Sequence, residues 1–450
     1  MSLGGAIGGP MGAPGAPQRS LTETLRLAWA DEELRGRITF VLIIFAVYAL
    51  CIHVVVPIPG VQPAMLEKLV NDNSFLGLMN QIGGGAFKRL SILALGLGPY
   101  ISASIILQVL TYANPAWKME LQEGGEYARK QQNRRTRALA LILGVFQSVG
   151  IFQLIARPLA ITPTVQQYVT VAVFWTAGSF LLLWLGEQAS EKGIGNGVSL
   201  LIFAGIIISM PSLVEQIQRN YGVLVQWWQL VIVAALFLAV TYFVVLFTTA
   251  QRRIPVQHMR RNFGTQAKGG GTSYLPISVN MAGVIPVIFA VALIYMPYQF
   301  QQMFPAGSSM HDALGNIGAF MAPDFSRWQG YVGAFIYMLL IFGFTFVWNA
   351  MIYNVEDIAN NLKRAGSYVP GIRPGKQTKD FLNGVITRVT FVGALFLSIA
   401  ALSQYVFPLF VNIPSIGMIG GTSLLIMVSV ALETMRQIEA NLITKQYGGG

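Results

Sequence analysis

Charged side chains are scarce in this sequence, since Asp, Glu, Lys and Arg make up only 11% of its 450 residues. An ordinary soluble domain carries about 25% charged residues. The apolar residues, at 54%, are gathered into long runs whose central parts contain no charge. This pattern excludes a soluble globular protein, and runs of this length exclude the short alternating strands of an outer-membrane barrel. The sequence therefore predicts an all-α integral membrane protein that crosses the bilayer many times.

Residues that bind metals or form disulfides are equally few. Cys51 is the single cysteine, so an intrachain disulfide is excluded, and the three histidines are His53, His258 and His311. They form no His/Cys cluster along the sequence, which predicts no metal site and no cofactor. An intramembrane protease would need a Ser/His pair, paired aspartates or an HExxH motif at depth, and His53 has no evident catalytic partner in its run.

Ten apolar runs are long enough to be membrane spans, and the basic residues between them predict an orientation. Most of the 30 Lys and Arg residues fall in alternate connections, on the side that also holds both chain ends. By the positive-inside rule, both termini are predicted to be cytoplasmic. The runs lie near 38–56, 90–113, 138–156, 167–186, 196–210, 226–250, 281–298, 331–353, 385–407 and 416–435.

The two ends of the chain are predicted to lie outside the membrane. Residues 1–19 are rich in Gly and Pro and are predicted to be a disordered tail, and 441–450 a short cytoplasmic tail. From Ser20 to Arg37 the apolar spacing predicts a short amphipathic helix on the cytoplasmic interface, with a solvated helical linker as the alternative.

A weak internal repeat divides the chain into two halves. The second run contains Gly96-Leu97-Gly98-Pro99 and the seventh Gly283-Val284-Ile285-Pro286. The fifth begins "NGVSLLI" at 196–202, and the tenth contains "GGTSLLI" at 420–426. Five spans per half give the halves, 20–212 and 222–440, opposite orientations. Such repeats point to a site between the halves near the membrane midplane, unless Gly-rich apolar segments resemble each other here by chance.

The spans contain no charged residue in their apolar cores, which bears on the kind of site. An ion-coupled transporter usually places a carboxylate or a basic partner on its pathway. A passage lined by neutral side chains fits this sequence better than a secondary transporter does.

Six motifs along the chain are long enough to be compared with known families. They are "GGGAFKRLSILALGLGPYISASIILQVL" (83–110), "WLGEQASEKGIGNGVSLLIFAGI" (184–206), "QRRIPV" (251–256), "NMAGVIPVIFA" (280–290), "NNLKRAGSYVPGIRPGKQT" (360–378) and "GGTSLLIM" (420–427). These motifs resemble the SecY family, the channel subunit of the bacterial protein translocon, and the resemblance runs in order from about Glu23 to Gln446.

The resemblance implies a fold and a function. The fold has ten transmembrane helices in two inverted, pseudo-symmetric five-helix halves around a central pore. A re-entrant plug half-helix at about 76–90 folds back into the pore. The protein would be a non-enzymatic channel in the bacterial plasma membrane. It would translocate unfolded secretory polypeptides and release transmembrane segments sideways into lipid.

The resemblance also assigns residues to the pore. A ring of aliphatic side chains would form its constriction, where it can exclude water and ions; its members are Leu97, Ile101, Val198, Ile202, Ile288 and Ile426. The plug would include Asn80, Gly83, Gly84, Gly85, Lys88 and Arg89, in which the glycines let the backbone bend beneath the ring. A lateral gate between the second and seventh spans, with the third adjoining, would carry Ser102, Gln147 and Asn280.

No ATPase motif is present, so energy is expected to come from a partner. The loops at 251–276 and 354–385 are predicted to dock a SecA-type ATPase or the ribosome, including its RNA, through Arg252, Arg253, Arg260, Arg261, Arg373 and Lys376. Where relatives carry a further basic pair in the first loop, this chain has Thr265-Gln266. The other expected partners are SecE-like and SecG-like small membrane subunits, signal peptides, nascent secretory chains and membrane lipids.

Overall fold

The computed structural model describes residues 21–59, 61, 66, 70, 76–77, 80, 83–156, 163–220, 226–258, 272–301, 304–305, 307–325, 327–409 and 420–448. The predicted tail at 1–19 lies outside these residues. The first half contains α1 (Leu21–Ala30), α2 (Glu32–Cys51), α3 (Gly98–Ala113), α4 (Pro115–Glu123), α5 (Gly125–Ala156), α6 (Val165–Lys192) and α7 (Gly197–Asn220). The second half contains α8 (Trp227–Thr249), β1 (Gln251–His258), β2 (Thr272–Ser278), α9 (Ile285–Gln301), α10 (Ser309–Met321), α11 (Trp328–Ile352), α12 (Val355–Arg364), β3 (Ser367–Tyr368), α13 (Lys376–Val406) and α14 (Gly421–Gly448).

Each of the ten predicted spans coincides with a helix. Within the described residues, six helical segments are long and apolar enough to cross a membrane: Glu32–Cys51, Gly125–Ala156, Val165–Lys192, Trp227–Thr249, Trp328–Arg364 and Lys376–Leu409. Shorter apolar helices cover Gly98–Thr111, Gly197–Ser212 and Ile285–Gln301. Helix α14 begins within the tenth predicted span. The outer face of α8 is apolar yet exposed, as a lipid-facing surface requires.

The second span differs from its predicted start at 90. Residues 83–97 form successive turns, and the regular helix begins only at Gly98. Gly96 has a positive φ of 55°, which ends any helix that approaches from its N-terminal side, and Pro99 then sits in the first turn of α3. The helical part of this span is therefore 16 residues long.

The same arrangement recurs in the other half. Gly283 has a positive φ of 63°, α9 begins two residues later, and Pro286 is the second residue of that helix. The other repeated motif behaves alike, because α7 begins at Gly197 in "NGVSLLI" and α14 at Gly421 in "GGTSLLI". The repeat seen in the sequence therefore has matching helix starts in the two halves.

The fold is helical as predicted, apart from one small sheet that the sequence does not predict. Strands β2, β1 and β3 form a small sheet in that order, with β1 antiparallel to both neighbours. Pro255 lies in the central strand, where its missing N–H is tolerated because β3 pairs only with Gln257 and His258. We call the end of the helix bundle that carries this sheet the sheet side.

The sheet and the segment 354–385 form one unit with its own apolar core. Ile254 and Ile277 come from the hairpin and lie against side chains from α12, the tip after β3, and the start of α13. The buried members of this core are Ile254, Ile277, Ile358, Val369, Leu382 and Ile386. The described parts of the two loops predicted to be docking surfaces are therefore packed together.

The largest core lies between the two halves. Phe87 and Trp175 contribute from the first half, with ring centroids 6.2 Å apart, and Tyr337 and Phe396 contribute from the second. All four side chains are fully buried.

The chain ends also meet on the sheet side. Helix α14 continues through the predicted boundary at 441 to Gly448, so the segment expected to be a tail is largely helical. Lys445 contacts Asp31 at 2.8 Å and Glu33 at 2.9 Å, and Ala28 packs beside Leu442. We call this group the terminal clasp.

Candidate functional site

The predicted ring residues lie at the starts of helices around the central core. Leu97 precedes α3, Ile101 is in its first turn, and Val198 and Ile202 are in the first two turns of α7. Leu97, Ile202 and Ile426 are buried within the core, and Ile101, Val198 and Ile288 pack against it half-exposed. The structure thus brings all six to one apolar cluster, contributed by four helices.

The ring follows the internal repeat closely. Ile101 and Ile288 each lie two residues after the proline of their helix start. Ile202 and Ile426 each end the repeated "SLLI" motif. Four ring residues thus form two pairs related by the pseudo-symmetry, which is the arrangement expected where two halves meet on a common axis.

A cavity of about 320 Å³ adjoins the ring. Ile202, Ile288 and Ile426 line one part of its wall, and the rest is lined by further apolar residues such as Trp348, by neutral polar side chains, and by Glu433 and Arg436. The guanidinium of Arg436 donates to the carbonyl of Thr248 at 2.8 Å, which places this region near the sheet side. The cavity leads from the sheet side to the apolar ring.

The predicted plug, 76–90, is described only in part, and one of its glycines, Gly84, lies in close contact with its surroundings. Gly84 has a φ of 69°, and a Cβ at this position would lie 2.9 Å from Ile52 Cδ1 and 3.3 Å from the Cα of Gly205. A Cβ at Gly96, just before Leu97, would lie 3.8 Å from the Cα of Gly83, which is an ordinary van der Waals contact. The close approach explains why glycine is needed at Gly84, where the segment touches both α2 and α7.

Polar contacts hold this segment in place. Asn80 accepts from the backbone N–H of Gly85 through its carbonyl, at 2.7 Å, and from that of Lys88 through its side chain, at 2.9 Å. Arg89 lies 2.8 Å from Nε2 of His53, whose Nδ1 lies 2.8 Å from the carbonyl of Ala49. These two contacts are compatible when Nδ1 carries the proton and Nε2 accepts from Arg89.

The described residues 83–90 form turns, so the half-helix expected over 76–90 does not extend through them.

Two of the three predicted gate residues form a polar contact. Gln147 of α5 donates to the hydroxyl of Ser102 of α3 at 3.5 Å, and to Oε1 of Gln299 of α9 at 3.0 Å. The shorter bond joins the two halves across the seam between α5 and α9. Hydrogen bonds between side chains of neighbouring helices contribute about 0.6–2 kcal/mol each in membranes. This contact therefore favours the closed seam but is weak enough to be broken.

Asn280 lies elsewhere. It precedes α9, whereas Gln299 is near the other end of that helix, and 17 helical residues span about 25 Å. Asn280 lines the cavity described above, and its amide atoms have no hydrogen-bond partner among the described residues. The structure therefore does not bring Asn280 together with Ser102 and Gln147, and Gln299 occupies the expected position.

The predicted docking residues lie on the unit that carries the sheet. Arg252 and Arg253 are exposed on β1, and Lys376 is exposed at the start of α13. Arg260 and Arg261 lie outside the described residues, as does the Thr265-Gln266 departure. Arg373 is exposed at a tip whose conformation is fixed on both sides, because Ile372 packs into the unit's core and Thr378 donates to the carbonyl of Arg373 at 2.9 Å.

Sequence reasoning missed Gln299 and the partner of His53. Gln299 follows Pro297 and Tyr298 near the end of an apolar helix, where a glutamine looks like an ordinary helix end. One signal could have identified it: it is polar and lies between apolar residues on the helix that faces Gln147. Arg89 is 36 residues from His53, and only the fold brings them together.

The fold and the site define a multi-pass helical membrane protein in which two inverted halves meet at an apolar core around which the six predicted ring residues gather. The family model described as SecY matches residues 91–435. The protein translocase subunit SecY of Staphylococcus carnosus is 37% identical over 95% of this chain and 99% of that protein. The same subunit of Staphylococcus aureus strain NCTC 8325 is 36% identical over the same shares. The chain belongs to the SecY family.

Solved structures agree in fold. A protein-conducting channel superposes with a TM-score of 0.65 at 20% identity, over 92% of this chain and 94% of that one. A SecY protein whose plug domain stabilises the closed state of the channel gives a TM-score of 0.66 at 19% identity over the same shares. Sec61 of the canine ribosome–channel complex gives 0.63 at 18% identity.

Proposed function

We propose that this protein is a channel that carries unfolded polypeptides across a membrane through the centre of its helix bundle. The observation that carries the proposal is the aliphatic ring, built from symmetry-related helix starts and free of charged side chains. Branched apolar side chains at a constriction exclude water and ions, yet offer a passing chain no hydrogen-bonding partner. The segment around Gly84 packs beside this region and serves as a plug in the resting state.

Release into lipid is assigned to the seam between α5 and α9. The Gln147–Gln299 bond joins the halves there and is weak enough for an entering apolar segment to displace. Signal peptides and transmembrane segments of substrates are therefore the ligands of this seam, and membrane lipids lie outside it.

The energy for transport is assigned to a partner on the sheet side. Arg373, Arg252 and Arg253 present exposed guanidinium groups from one packed unit, which suits a SecA-type ATPase or ribosomal RNA. The Sec61 neighbour was solved in a ribosome–channel complex, which supports the ribosome as one partner. The chain itself acts without catalysis or a cofactor, as a partner of SecE-like and SecG-like subunits in a bacterial plasma membrane, with both termini cytoplasmic.

Replacing Ile101, Ile202 and Ile288 together with serine tests the ring directly. Hydroxyl groups would hydrate the constriction, so we expect the resting channel to conduct ions in planar bilayers where the natural protein does not. The matched control replaces Ile43, Ile142 and Ile399 with serine, because these are exposed isoleucines on outward faces of α2, α5 and α13. Equal resting conductance in the ring variant and the natural protein would refute the ring assignment.

A further inference from the structure

The cavity beside the ring contains buried polar atoms that no described residue satisfies. Asn280, Thr248 and Ser429 all line it and are more than nine-tenths buried, with relative exposures of 7%, 6% and 7%. Both amide atoms of Asn280 and the hydroxyls of Thr248 and Ser429 have no hydrogen-bond partner among the described residues. Four of the nine such side-chain atoms in the described part of the chain thus belong to residues that line this one cavity.

Buried polar atoms without partners are unfavourable, since each loses its hydration without gaining a bond. In native proteins they are few, and a cluster of them calls for a ligand or a solvent role. Here three separate elements contribute: the end of α8, the segment before α9, and α14. A cluster gathered from three elements is a built site rather than a local packing defect.

The chemistry of the cluster identifies the class of ligand. An amide side chain offers one donor group and one acceptor, and each hydroxyl can serve as either. The nearby Arg436 already donates to the Thr248 carbonyl, and Glu433 also lines the cavity. The unsatisfied atoms belong to uncharged side chains, and the wall carries one acidic and one basic residue, so the cavity favours neither sign of charge. This favours a neutral ligand with both N–H and C=O groups over a phosphate or a cation. A peptide backbone is such a ligand.

The size and position of the cavity also suit a segment of chain. About 320 Å³ corresponds to roughly ten water molecules at about 30 Å³ each, within the lower range of ligand pockets. Ile202, Ile288 and Ile426 form its wall on the ring side. A segment held there would have its next residues directed at the constriction.

We propose that this cavity is a holding site for the backbone of an extended polypeptide segment waiting at the ring. The inference rests on the proposed function and adds to it a specific contact with the substrate. Asn280 pairs with an N–H and a C=O of the segment, and Thr248 and Ser429 bond to neighbouring backbone groups. Because every substrate has a backbone, such a site retains a chain between successive driving steps of the partner and does not select the chain's sequence.

The test measures how fast an arrested chain slips back. Membrane vesicles containing the full protein import a secretory precursor whose folded C-terminal domain arrests it in the channel; the energy source is then removed, and loss of the protease-protected fragment is followed. We expect Ser429→Ala, which removes one bonding atom and adds no volume, to speed release by about 2- to 10-fold. Asn280→Leu, which removes two, should speed release by about tenfold or more.

A substrate with a proline-rich arrested segment supplies the second arm, since proline has no N–H. The natural protein and Asn280→Leu should release that segment at more similar rates than an ordinary segment. Ser398→Ala is the matched control, because its buried hydroxyl already donates to the carbonyl of Ala394 within α13. It should leave release unchanged.

Two results would overturn the inference alone. Equal release of the ordinary segment by the natural protein and both cavity variants would mean that these atoms hold only water. Equal acceleration for ordinary and proline-rich segments would mean that the variants act by packing and not by lost backbone bonds. If the natural protein yields no protected fragment, the proposed function fails, and this inference fails with it.

Discussion

At the scale of single residues, Gln299 shows how one hydrogen bond joins the two halves. Its Oε1 accepts from Gln147 at 3.0 Å, and both side chains are half-buried near the far end of α9. In an apolar surrounding neither amide has water as a ready alternative partner. The bond therefore favours the closed seam, and a change at either residue shifts the balance between closed and open seams.

Gln299→Leu should let precursors with weakened signal sequences enter more easily. Losing a bond between helices corresponds to about 0.6–2 kcal/mol, so export of such a precursor should rise by about 3- to 30-fold. The measurement is the rate at which the precursor is processed in cells. The control is Thr241→Val, because the Thr241 hydroxyl donates to the Phe237 carbonyl of its own helix and this bond joins no two helices. Equal export by Gln299→Leu and Thr241→Val would contradict the prediction.

Gly84 and Gly85 allow packing to be separated from backbone strain. Both have positive φ, at 69° and 83°, so alanine is strained at each by about 1–2 kcal/mol. Only a Cβ at Gly84 would lie against Ile52 and the backbone of Gly205, whereas a Cβ built on Gly85 would have no atom of a described residue within 4 Å beyond its chain neighbours. Gly84→Ala should therefore displace the plug and raise resting ion conductance more than Gly85→Ala does. Equal conductance in the two variants would show that strain alone, and not contact with α7, decides the plug's position.

At the scale of elements, the sequence could predict helices better than the sheet. The ten spans follow from long uncharged runs, whereas the exact start of the second helix does not, because the apolar run begins at 90 and the helix begins at Gly98, after the positive φ of Gly96. Strand β1 contains Pro255 and follows directly after α8, so its short alternation of Ile254 and Val256 carries little weight. Pairing of β1 with β3, more than a hundred residues later, depends on the fold and has no local signal.

Candidate site residues divide in the same way. The ring could be predicted because it coincides with repeated motifs, as Ile202 and Ile426 do. Asn280 could not be placed correctly from sequence, since its polarity suits both a seam and a cavity. The fold decides, because the turn at Gly283 places Asn280 before the first turn of α9, at the opposite end of that helix from Gln299.

The tip around Arg373 is the element on which coupling to a partner should depend. Arg373→Glu should abolish partner-driven export while the protein still folds and inserts, because the side chain is exposed and packs against nothing in the core. A charge-assisted contact contributes about 1.5–3 kcal/mol, so export should fall by about 10- to 150-fold. Arg373→Lys should be intermediate, since lysine keeps the charge but loses the planar fork.

The control for this prediction is Lys363→Glu. Lys363 is exposed on α12 of the same unit. Its replacement by glutamate changes the net charge by the same amount as Arg373→Glu does. Export measured in vesicles should be nearly normal. Equal defects at Lys363 and Arg373 would show that the unit acts by diffuse charge and that the tip has no special role.

At the scale of the whole molecule, the terminal clasp closes the bundle on the sheet side. Lys445 hydrogen-bonds to Asp31, and this bond holds the pKa of the Asp31 carboxyl below its usual value of 3.8. The same partner raises the pKa of Lys445. Because the pKa of Asp31 is lowered, the Asp31–Lys445 contact contributes its full stabilisation above the ordinary carboxyl pKa. That stabilisation is lost as the pH falls through the lowered pKa.

Lys445→Ala should loosen the clasp, as measured by the distance between spin labels at Leu25→Cys and Thr444→Cys in a Cys51→Ser background. Both label sites are exposed, on α1 and α14. The distance distribution should be broad in the variant at neutral pH, and should broaden in the natural protein only below about pH 4 or at high salt. If the natural protein and the variant give the same distribution at neutral pH, the clasp does not hold the ends together.

Helix α13 has a mechanical consequence for the whole molecule. It runs without an internal proline from Lys376, beside the tip, to Val406, which is about 46 Å of continuous helix. Midway, Gly393 lies so close to the carbonyl of Val279 that a Cβ there would overlap it, and Val279 is the residue before Asn280. Only Pro374 and Gly375 separate Arg373 from this helix, and Gly384 is the one glycine in the helix before Gly393. A partner that displaced the tip by about 1–2 Å would therefore be expected to move the wall of the cavity as well, because the helix transmits the displacement along its length.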